Sequence, residues 1–239
     1  MSRPAFYALE SGGWRDYVTL LHPPYTAWHL SYVVMGAALA PELDDARLLA
    51  ALVAFLLAMG IGAHALDELA GRPLQTRIPD RVLVALAAVS IGAAVAIGLA
   101  ASLVWTLWLL PFVAAGGFIV VAYNLELFGG AFHNSIWFAL AWGALPLLSA
   151  YVVTAETLRL PALLGATFAF LTSFVQRTLS TPVREVRRRV TSVAGTIELA
   201  DGSRREVTGQ TLMGTQETAL RLLALAMVVL AAALYSVRF

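Results

Sequence analysis

Two adjacent carboxylates, Asp67 and Glu68, are the residues best placed for chemistry, because they end an apolar stretch long enough to cross a membrane. His64 precedes them by three and four positions, so the three side chains share one helix face. Negative charge is disfavoured both at a helix C-terminus and inside a membrane. A divalent cation would offset both penalties, and Mg²⁺ suits carboxylates that also meet a substrate phosphate. We therefore predict a Mg²⁺ site at Asp67 and Glu68. Alternatively, Arg72 neutralises Glu68 across the helix end.

A second polar group follows the fourth apolar stretch and includes Glu126 and His133. An even number of membrane crossings separates the two groups, so both are expected on the same side of the membrane. Glu126 and His133 could therefore meet His64 and the two acids, and such a His/carboxylate set could also bind a transition metal. Alternatively, the segment is a polar loop that turns at Gly129-Gly130. The residues predicted to bind substrate are His64, Arg77, Tyr123, Asn124, Glu126, His133 and Arg177.

The composition identifies the class of protein. Of the 239 residues, 59% are apolar and 13% are charged, whereas a soluble domain has about 45–50% apolar and about 25% charged residues. The chain is therefore expected to be a polytopic membrane protein. Its net charge of +1 gives no strong field that would attract nucleic acid. The absence of Cys excludes disulfides and thiolate metal sites, and the absence of Lys excludes a Schiff base.

The apolar stretches predict an all-α fold, a single helical domain over residues 1–239 with about seven transmembrane helices. The predicted spans are 25–40, 48–66, 82–100, 103–123, 136–154, 161–174 and 219–237. Between the sixth and seventh spans, strand-forming residues flank Asp201-Gly202, which is typical of a β-hairpin turn. We predict a small cytoplasmic hairpin insertion over residues 183–213.

The distribution of arginines predicts the orientation in the membrane. When the N-terminus is placed inside, the outside segments hold only Arg47, Arg159 and Arg238, and most other arginines lie in inside segments. We therefore predict an integral protein of the cell inner membrane whose N-terminus and active face are cytoplasmic. The basic run 184–189 could bind anionic head groups or a diphosphate, or could anchor its helix at the cytoplasmic side.

Several short motifs follow one another between about residues 20 and 175. They are His22-Pro23-Pro24-Tyr25-Thr26-Ala27-Trp28, Gly36-Ala37-Ala38-Leu39-Ala40, Asp67-Glu68, Gly71-Arg72-Pro73-Leu74, Tyr123 and Trp142-Gly143-Ala144-Leu145-Pro146. In this order they resemble the UbiA superfamily of intramembrane prenyltransferases. The resemblance implies an all-helical bundle that binds a prenyl diphosphate through Mg²⁺ and passes the prenyl group to an aromatic or other lipophilic acceptor. It also implies that Asp67 contacts Mg²⁺ and the diphosphate, and that Arg72 contacts the diphosphate.

Three functions remain open at this point. The first is transfer of a prenyl group at the cytoplasmic face, with Asp67, Glu68 and Arg72 as catalytic residues. The second is a non-catalytic, UbiA-like protein that binds a lipid or quinone or belongs to a membrane complex. It is favoured because residues 176–185 contain no Asp, where the family has its second Asp-rich motif. The third is a metalloenzyme that acts on a lipid through the His/carboxylate set. The predicted partners are a prenyl diphosphate or another lipid and the membrane, without nucleic acid.

Overall fold

Helices make up most of the chain, which a computed structural model describes over residues 3–239. In chain order the helices are α1 (Trp14–Leu20), α2 (Pro23–Leu39), α3 (Asp45–Leu69), α4 (Asp80–Val104), α5 (Leu107–Asn124), α6 (Ser135–Ala155), α7 (Leu160–Arg189) and α8 (Gly209–Ser236). A turn over Leu127–Gly130, with positive φ at Phe128 and Gly129, joins α5 to α6. Within residues 3–239, the six helices α3 to α8 are long and apolar enough to cross a membrane. The architecture is that of an integral membrane protein.

Side-chain caps and prolines explain where several helices begin. The Asp44 carboxylate accepts hydrogen bonds from two backbone N–H groups of the first turn of α3, at 2.9 and 3.0 Å. Asn134 caps α6 in the same way, and Thr208 forms a capping box with Thr211 at the start of α8. Helices α2 and α7 carry proline in their first turn, where the missing N–H has no intrahelical partner in any case.

Helix α2 lies at the centre of the bundle. Its side chains Trp28 and Tyr32 are fully buried and pack against Leu147 of α6 and Met227 of α8. The Tyr32 hydroxyl lies 2.7 Å from Thr172 Oγ1, which ties α2 to α7. The helix has 17 residues and a rise of roughly 26 Å, so it is shorter than the six apolar helices around it. The packing fixes the position of α2, from whose first turns several site residues project.

Gly36 sets how closely α2 approaches α6. A Cβ atom at this position would lie 2.2 Å from the backbone carbonyl oxygen of Leu147. We expect Gly36→Ala to destabilise the protein by about 2 kcal/mol, because two packed helices must separate to admit the methyl group. Gly92→Ala on α4 is the matched control, since a Cβ there meets nothing within 4 Å. Alanine should stabilise that helix by up to about 1 kcal/mol. Thermal unfolding in detergent measures both, and equal effects would contradict the packing described here.

Two of the helices contain a π-helical segment, and both segments adjoin the polar cavity described below. They are Leu56–Ala63 in α3 and Leu140–Ala144 in α6. Such segments frequently occur at functional sites, because the wider turn changes the direction of the side chains that follow. The first segment directly precedes His64, and the second contains Trp142.

The β-hairpin forms at the turn indicated by Asp201-Gly202. Strand β1 (Thr196–Glu198) pairs antiparallel with β2 (Arg204–Glu206), with Ile197 opposite Arg205. The Asp201 carboxylate accepts hydrogen bonds from the backbone N–H and the hydroxyl of Ser203, at 2.9 and 2.7 Å. A small two-stranded antiparallel sheet is therefore confirmed.

The insertion that carries this hairpin is shorter than the predicted range 183–213. Helix α7 continues through 30 residues to Arg189, well past the predicted span 161–174, and α8 already begins at Gly209. The reason is packing: Val183 of α7 forms a buried cluster with Met213 and Leu220 of α8. Burial of these side chains stabilises both helices beyond their most apolar parts.

Candidate functional site

A polar cavity of about 290 Å³ lies at the end of the bundle where α3 and α5 terminate. The first turns of α2, the beginning of α6 and the C-terminal half of α7 complete its walls, and the N-terminal residues 4–7 cover it. The predicted residues that line it are His64, Asp67, Tyr123, Asn124, Glu126, His133 and Arg177. The structure thus brings together, at one end of the bundle, the two polar groups that the sequence predicts to lie on one side of the membrane.

Asp67 and Glu68 face different surroundings, and this corrects the prediction that both bind a metal. Asp67 lines the cavity. Glu68 is fully buried beneath the loop between α3 and α4, and its carboxylate accepts three hydrogen bonds from that loop. The donors are the backbone N–H of Leu74 at 2.9 Å and the backbone N–H and hydroxyl of Thr76, both at 2.8 Å. Consecutive helical residues point in different directions, so one acid stabilises the loop while the other faces the cavity.

Arg72 and Arg77 also lie outside the cavity, contrary to their predicted roles. The chain reverses after α3 at Gly71, which has φ of 98°, and this turn directs Arg72 away from the cavity. The Arg72 guanidinium donates to the Ile78 carbonyl oxygen at 2.5 Å and to the Asp80 carboxylate. Arg77 is exposed in the same loop. Both arginines therefore belong to the loop that Glu68 stabilises.

Four arginines of α7 line the cavity, and three of them have no carboxylate partner in the part of the chain that the structure describes. Arg177, Arg184 and Arg188 are spaced by seven and four residues, which keeps them on the same side. Among residues 3–239, no carboxylate lies within 4.0 Å of their guanidinium nitrogens. Arg187, by contrast, pairs with Glu217 of α8 at 2.8 Å. The cavity therefore has an excess of positive charge, and Nε of Arg188 is buried without a hydrogen-bond partner in the described chain.

Aromatic rings hold Arg177 and the end of α5 in place. The Arg177 guanidinium donates to the Tyr123 hydroxyl and lies 5.6 Å from the centroid of that ring and 5.5 Å from the centroid of Phe138. His133 stacks on Tyr123 with ring centroids 4.5 Å apart, and its Nδ1 lies 3.8 Å from Glu126. These contacts hold the Arg177 guanidinium against the aromatic side chains that line the cavity.

His22, at the mouth of the cavity, is buried beneath the N-terminal segment. Its ring stacks on that of His64 with centroids 3.9 Å apart, and its Nδ1 lies 2.7 Å from the Tyr7 hydroxyl. Burial lowers the pKa of His22 well below its usual range, and the positive charges of Arg184 and Arg188 act in the same direction. Burial likewise raises the pKa of Tyr7 well above its usual range. Both side chains are therefore neutral near neutral pH.

We expect the protein to lose stability as the pH falls below about 6.5, with a measurable share of the loss due to His22. The folded-state pKa of His22 is depressed, so its stabilising contribution is present above the unfolded-state pKa and disappears as the pH falls toward the folded-state value. Thermal unfolding of wild type and His22→Gln between about pH 8 and about pH 5 measures that share. Identical pH dependence in the two proteins would contradict it.

An apolar crevice of about 90 Å³ occupies the other half of the bundle, between α3, α4, α5 and α6. Its charged residue, Arg47, is already engaged: the guanidinium donates to the carbonyl oxygen of Val153 and to the carboxylate of Glu156, both at 2.8 Å. The crevice therefore offers no unpaired cation to an anionic ligand, in contrast to the polar cavity.

Several lining residues were not predicted as site residues from the sequence: Tyr7, His22, Tyr25, His29, Trp142, Gln176, Arg184 and Arg188. The basic run 184–189 was a signal for two of them, because it was already a candidate for anionic head groups. The spacing from Arg177 to Arg184 and Arg188 could have extended that signal along one helix face. His22 and His29 flank Pro23-Pro24, and His29 was a candidate for a polar contact inside the bundle, whereas nothing in the local sequence marks Tyr7 or Gln176.

The side chains present limit which metal the cavity could hold. Within residues 3–239, no group of three or more His, Cys, Asp or Glu side chains is arranged to bind a metal ion. Asp67 alone supplies a deep carboxylate, since Glu68 is engaged with the loop and the Glu126 side chain is largely exposed. Mg²⁺ is often bound by one or two carboxylates together with substrate phosphates. Asp67 therefore suits an ion that enters with a phosphorylated ligand.

Comparison of the chain with known protein families, curated proteins and solved structures finds no match. The class that the fold and the site define is a helical membrane protein with an arginine-rich polar cavity at one end of its bundle. Membership of the UbiA superfamily stays a prediction from the sequence motifs.

Proposed function

We propose that the protein binds the diphosphate head of a prenyl lipid in the polar cavity and transfers the prenyl group to a lipophilic acceptor. The observation that carries this proposal is the set of three cavity arginines, Arg177, Arg184 and Arg188, that have no carboxylate partner among residues 3–239. Guanidinium groups bind phosphate oxygens in bidentate pairs, so they suit a compact polyanion. A cavity that joins such a set to an apolar bundle is suited to an amphiphile with an anionic head.

The proposed chemistry follows from these groups. The bond between C1 of the prenyl chain and the diphosphate oxygen breaks, and the diphosphate leaves with the bonding electrons. Arginines fixed in a water-poor site stabilise that developing charge without reorganising. The aromatic faces of Tyr123, Phe138 and Trp142 line the same cavity and can stabilise a positive allylic carbon. C1 then bonds to a nucleophilic atom of the acceptor, which loses a proton.

Magnesium has a limited place in this proposal. Asp67 would hold the ion together with diphosphate oxygens, and the ion would add to the neutralisation of the leaving group. The arginines supply most of the fixed positive charge that faces the cavity, so binding is expected to depend more on Arg184 and Arg188 than on Mg²⁺.

The proposed orientation places the cavity at the cytoplasmic face of the cell inner membrane, with α2 as a seventh span. The arginines of α7 follow an apolar half that begins at Leu160, and basic residues at a helix end favour the cytoplasmic side. An anionic lipid head group at that interface would meet them directly.

A non-catalytic lipid-binding function is the second candidate. It is favoured by the geometry of Glu68, because a single cavity carboxylate at Asp67 gives weaker Mg²⁺ binding than a pair. This candidate predicts the same ligand head group and the same arginine contacts, and it differs only in turnover.

Thermal stabilisation tests the proposal, since a ligand that binds only the folded state raises its stability by mass action. Purified protein is heated with geranylgeranyl diphosphate or with geranylgeraniol, each with and without Mg²⁺. We expect stabilisation by the diphosphate that the alcohol does not reproduce at equal concentration. No shift with the diphosphate in either condition would overturn the proposal. Release of diphosphate in the presence of a lipid extract then separates the transferase from the binding protein.

A further inference from the structure

Besides His22 Nε2 and Arg188 Nε, two further buried polar atoms of the cavity lack a hydrogen-bond partner among residues 3–239. They are Nδ1 of His29, on α2, and Oε1 of Gln176, on α7. Both side chains line the cavity and are 3% exposed. A buried polar atom without a hydrogen-bond partner costs folding free energy and is uncommon. Such atoms in a cavity therefore point to a ligand or an ordered water that forms the missing hydrogen bonds.

These atoms lie at a deeper level than Arg184 and Arg188, two of the arginines that would bind a diphosphate. His29 follows the first residue of α2 by six positions, a rise of about 9 Å into the bundle. Gln176 precedes Arg184 by eight positions on α7, about 12 Å farther from the arginine-rich end. Arg184 and Arg188 therefore lie nearer the end of the bundle, and His29 and Gln176 form a deeper floor beside Arg177.

Aromatic side chains surround this floor. Phe138 and Trp142 stack with ring centroids 5.5 Å apart and an angle of 8° between their planes, and His29 contacts the Phe138 ring edge-on at 5.8 Å. Arg177 lies over the same Phe138 ring, at 5.5 Å. The floor is thus apolar around its two unpaired atoms and adjoins the charged part of the cavity.

We propose that this floor, defined by His29 and Gln176, is a binding subsite for the hydroxyl group of a neutral ligand, either an alcohol or a phenol. A hydroxyl supplies the donor that Gln176 Oε1 lacks, and its oxygen accepts from His29 Nδ1 in the tautomer that carries the ring proton on that nitrogen. The two unpaired atoms belong to neutral side chains, whose hydrogen bonds offset the desolvation of a hydroxyl group better than that of a charged group. The identification of this ligand as the prenyl acceptor rests on the proposed function. Its binding to the subsite is independent of that function.

Binding of matched pairs of probes tests the subsite in the purified full-length protein. The phenol 2-naphthol is compared with 2-methoxynaphthalene, and geraniol is compared with geranyl methyl ether. Each ether can accept a hydrogen bond but cannot donate one to Gln176. We expect one hydroxyl compound to bind roughly tenfold more tightly than its ether, which is the ratio that one lost buried hydrogen bond gives. The pair that shows this ratio identifies the ligand as phenol or alcohol.

Substitutions of Gln176 and His29 test whether the tighter binding of hydroxyl compounds depends on these two side chains. Gln176→Met should bring the binding of the hydroxyl compound down to that of its ether, and Gln216→Met on α8, outside the cavity, should not. His29→Phe should weaken the hydroxyl compound in the same way. Binding of geranylgeranyl diphosphate by Gln176→Met should remain within about twofold of wild type, because its arginines are intact. An unfolding temperature close to that of wild type shows independently that the variant is folded.

The outcomes separate the two proposals. Equal binding of hydroxyl compounds and ethers by wild type would overturn the proposed hydroxyl subsite. Ordered water would then be the hydrogen-bond partner of His29 Nδ1 and Gln176 Oε1. The expected ratios without any diphosphate binding would support the subsite and overturn the proposed function instead.

Discussion

Arg188→Gln is expected to weaken the binding of geranylgeranyl diphosphate by roughly 10- to 100-fold, because a charge-assisted hydrogen bond contributes about 1.5–3 kcal/mol. The same substitution should leave the unfolding temperature nearly unchanged. Arg188 has no carboxylate within 4.0 Å among residues 3–239, and its Nε has no partner there, so the ligand-free fold loses little when the guanidinium is removed. Titration of the ligand against both proteins, followed by thermal shift, measures the two effects together.

The neighbouring arginines are matched controls for this prediction. Arg189→Gln changes an exposed side chain outside the cavity and should alter neither binding nor stability. Arg187→Gln should lower stability, because Glu217 would be left buried without its partner. If Arg188→Gln and Arg189→Gln weakened the diphosphate equally, the loss would reflect general surface charge, and the cavity would not be the binding site.

Glu68→Gln is expected to destabilise the protein by about 2–4 kcal/mol, whereas Asp67→Asn should change stability by less than about 0.5 kcal/mol. The Glu68 carboxylate accepts from two backbone N–H groups and one hydroxyl, and an amide places an N–H₂ group against one of those donors. The Asp67 carboxylate has no hydrogen-bond partner in the described chain, and the residue lines the cavity. Thermal or denaturant unfolding in detergent compares the two variants.

Mg²⁺-dependent binding of the diphosphate should be affected more by the Asp67 substitution than by the Glu68 substitution, the reverse of their effects on stability. Asp67→Asn should remove the part of diphosphate binding that depends on Mg²⁺, while Glu68→Gln protein that remains folded should retain that part. Thr76→Val removes one of the three donors to Glu68 and should reproduce a fraction of the Glu68→Gln destabilisation. Stability losses of equal size for Asp67→Asn and Glu68→Gln would contradict the separate roles assigned to these adjacent acids.

Much of the helical architecture is readable from the sequence, because apolar runs long enough to cross a membrane have few alternatives to a helix. Caps such as Asn134 and prolines such as Pro161 mark helix starts locally. The second half of α7 could not be read in this way. Its arginines end the apolar run, and it is helical because Val183 packs against side chains of α8 that are distant in sequence.

The candidate site was predictable in part. The number of crossings between α3 and α5 was enough to place Asp67 and Glu126 at the same end of the bundle. Which of two adjacent acids faces the cavity depends on the helical phase, and the π segment Leu56–Ala63 changes that phase just before them. The roles of Glu68 and Arg72 depend on a loop whose path the sequence does not specify. His29 and Gln176 become site residues only through the packing of α2 against α7.

The most direct test of the central claim is a structure of the protein in a lipid nanodisc with geranylgeranyl S-thiolodiphosphate, an analogue that resists cleavage. The account predicts the diphosphate within hydrogen-bond distance of Arg177, Arg184 or Arg188, with Asp67 facing it and the Glu68 contacts to the loop unchanged. A diphosphate bound elsewhere, such as beside Arg47 at the apolar crevice, or density in the polar cavity that contacts none of the three arginines, would contradict it.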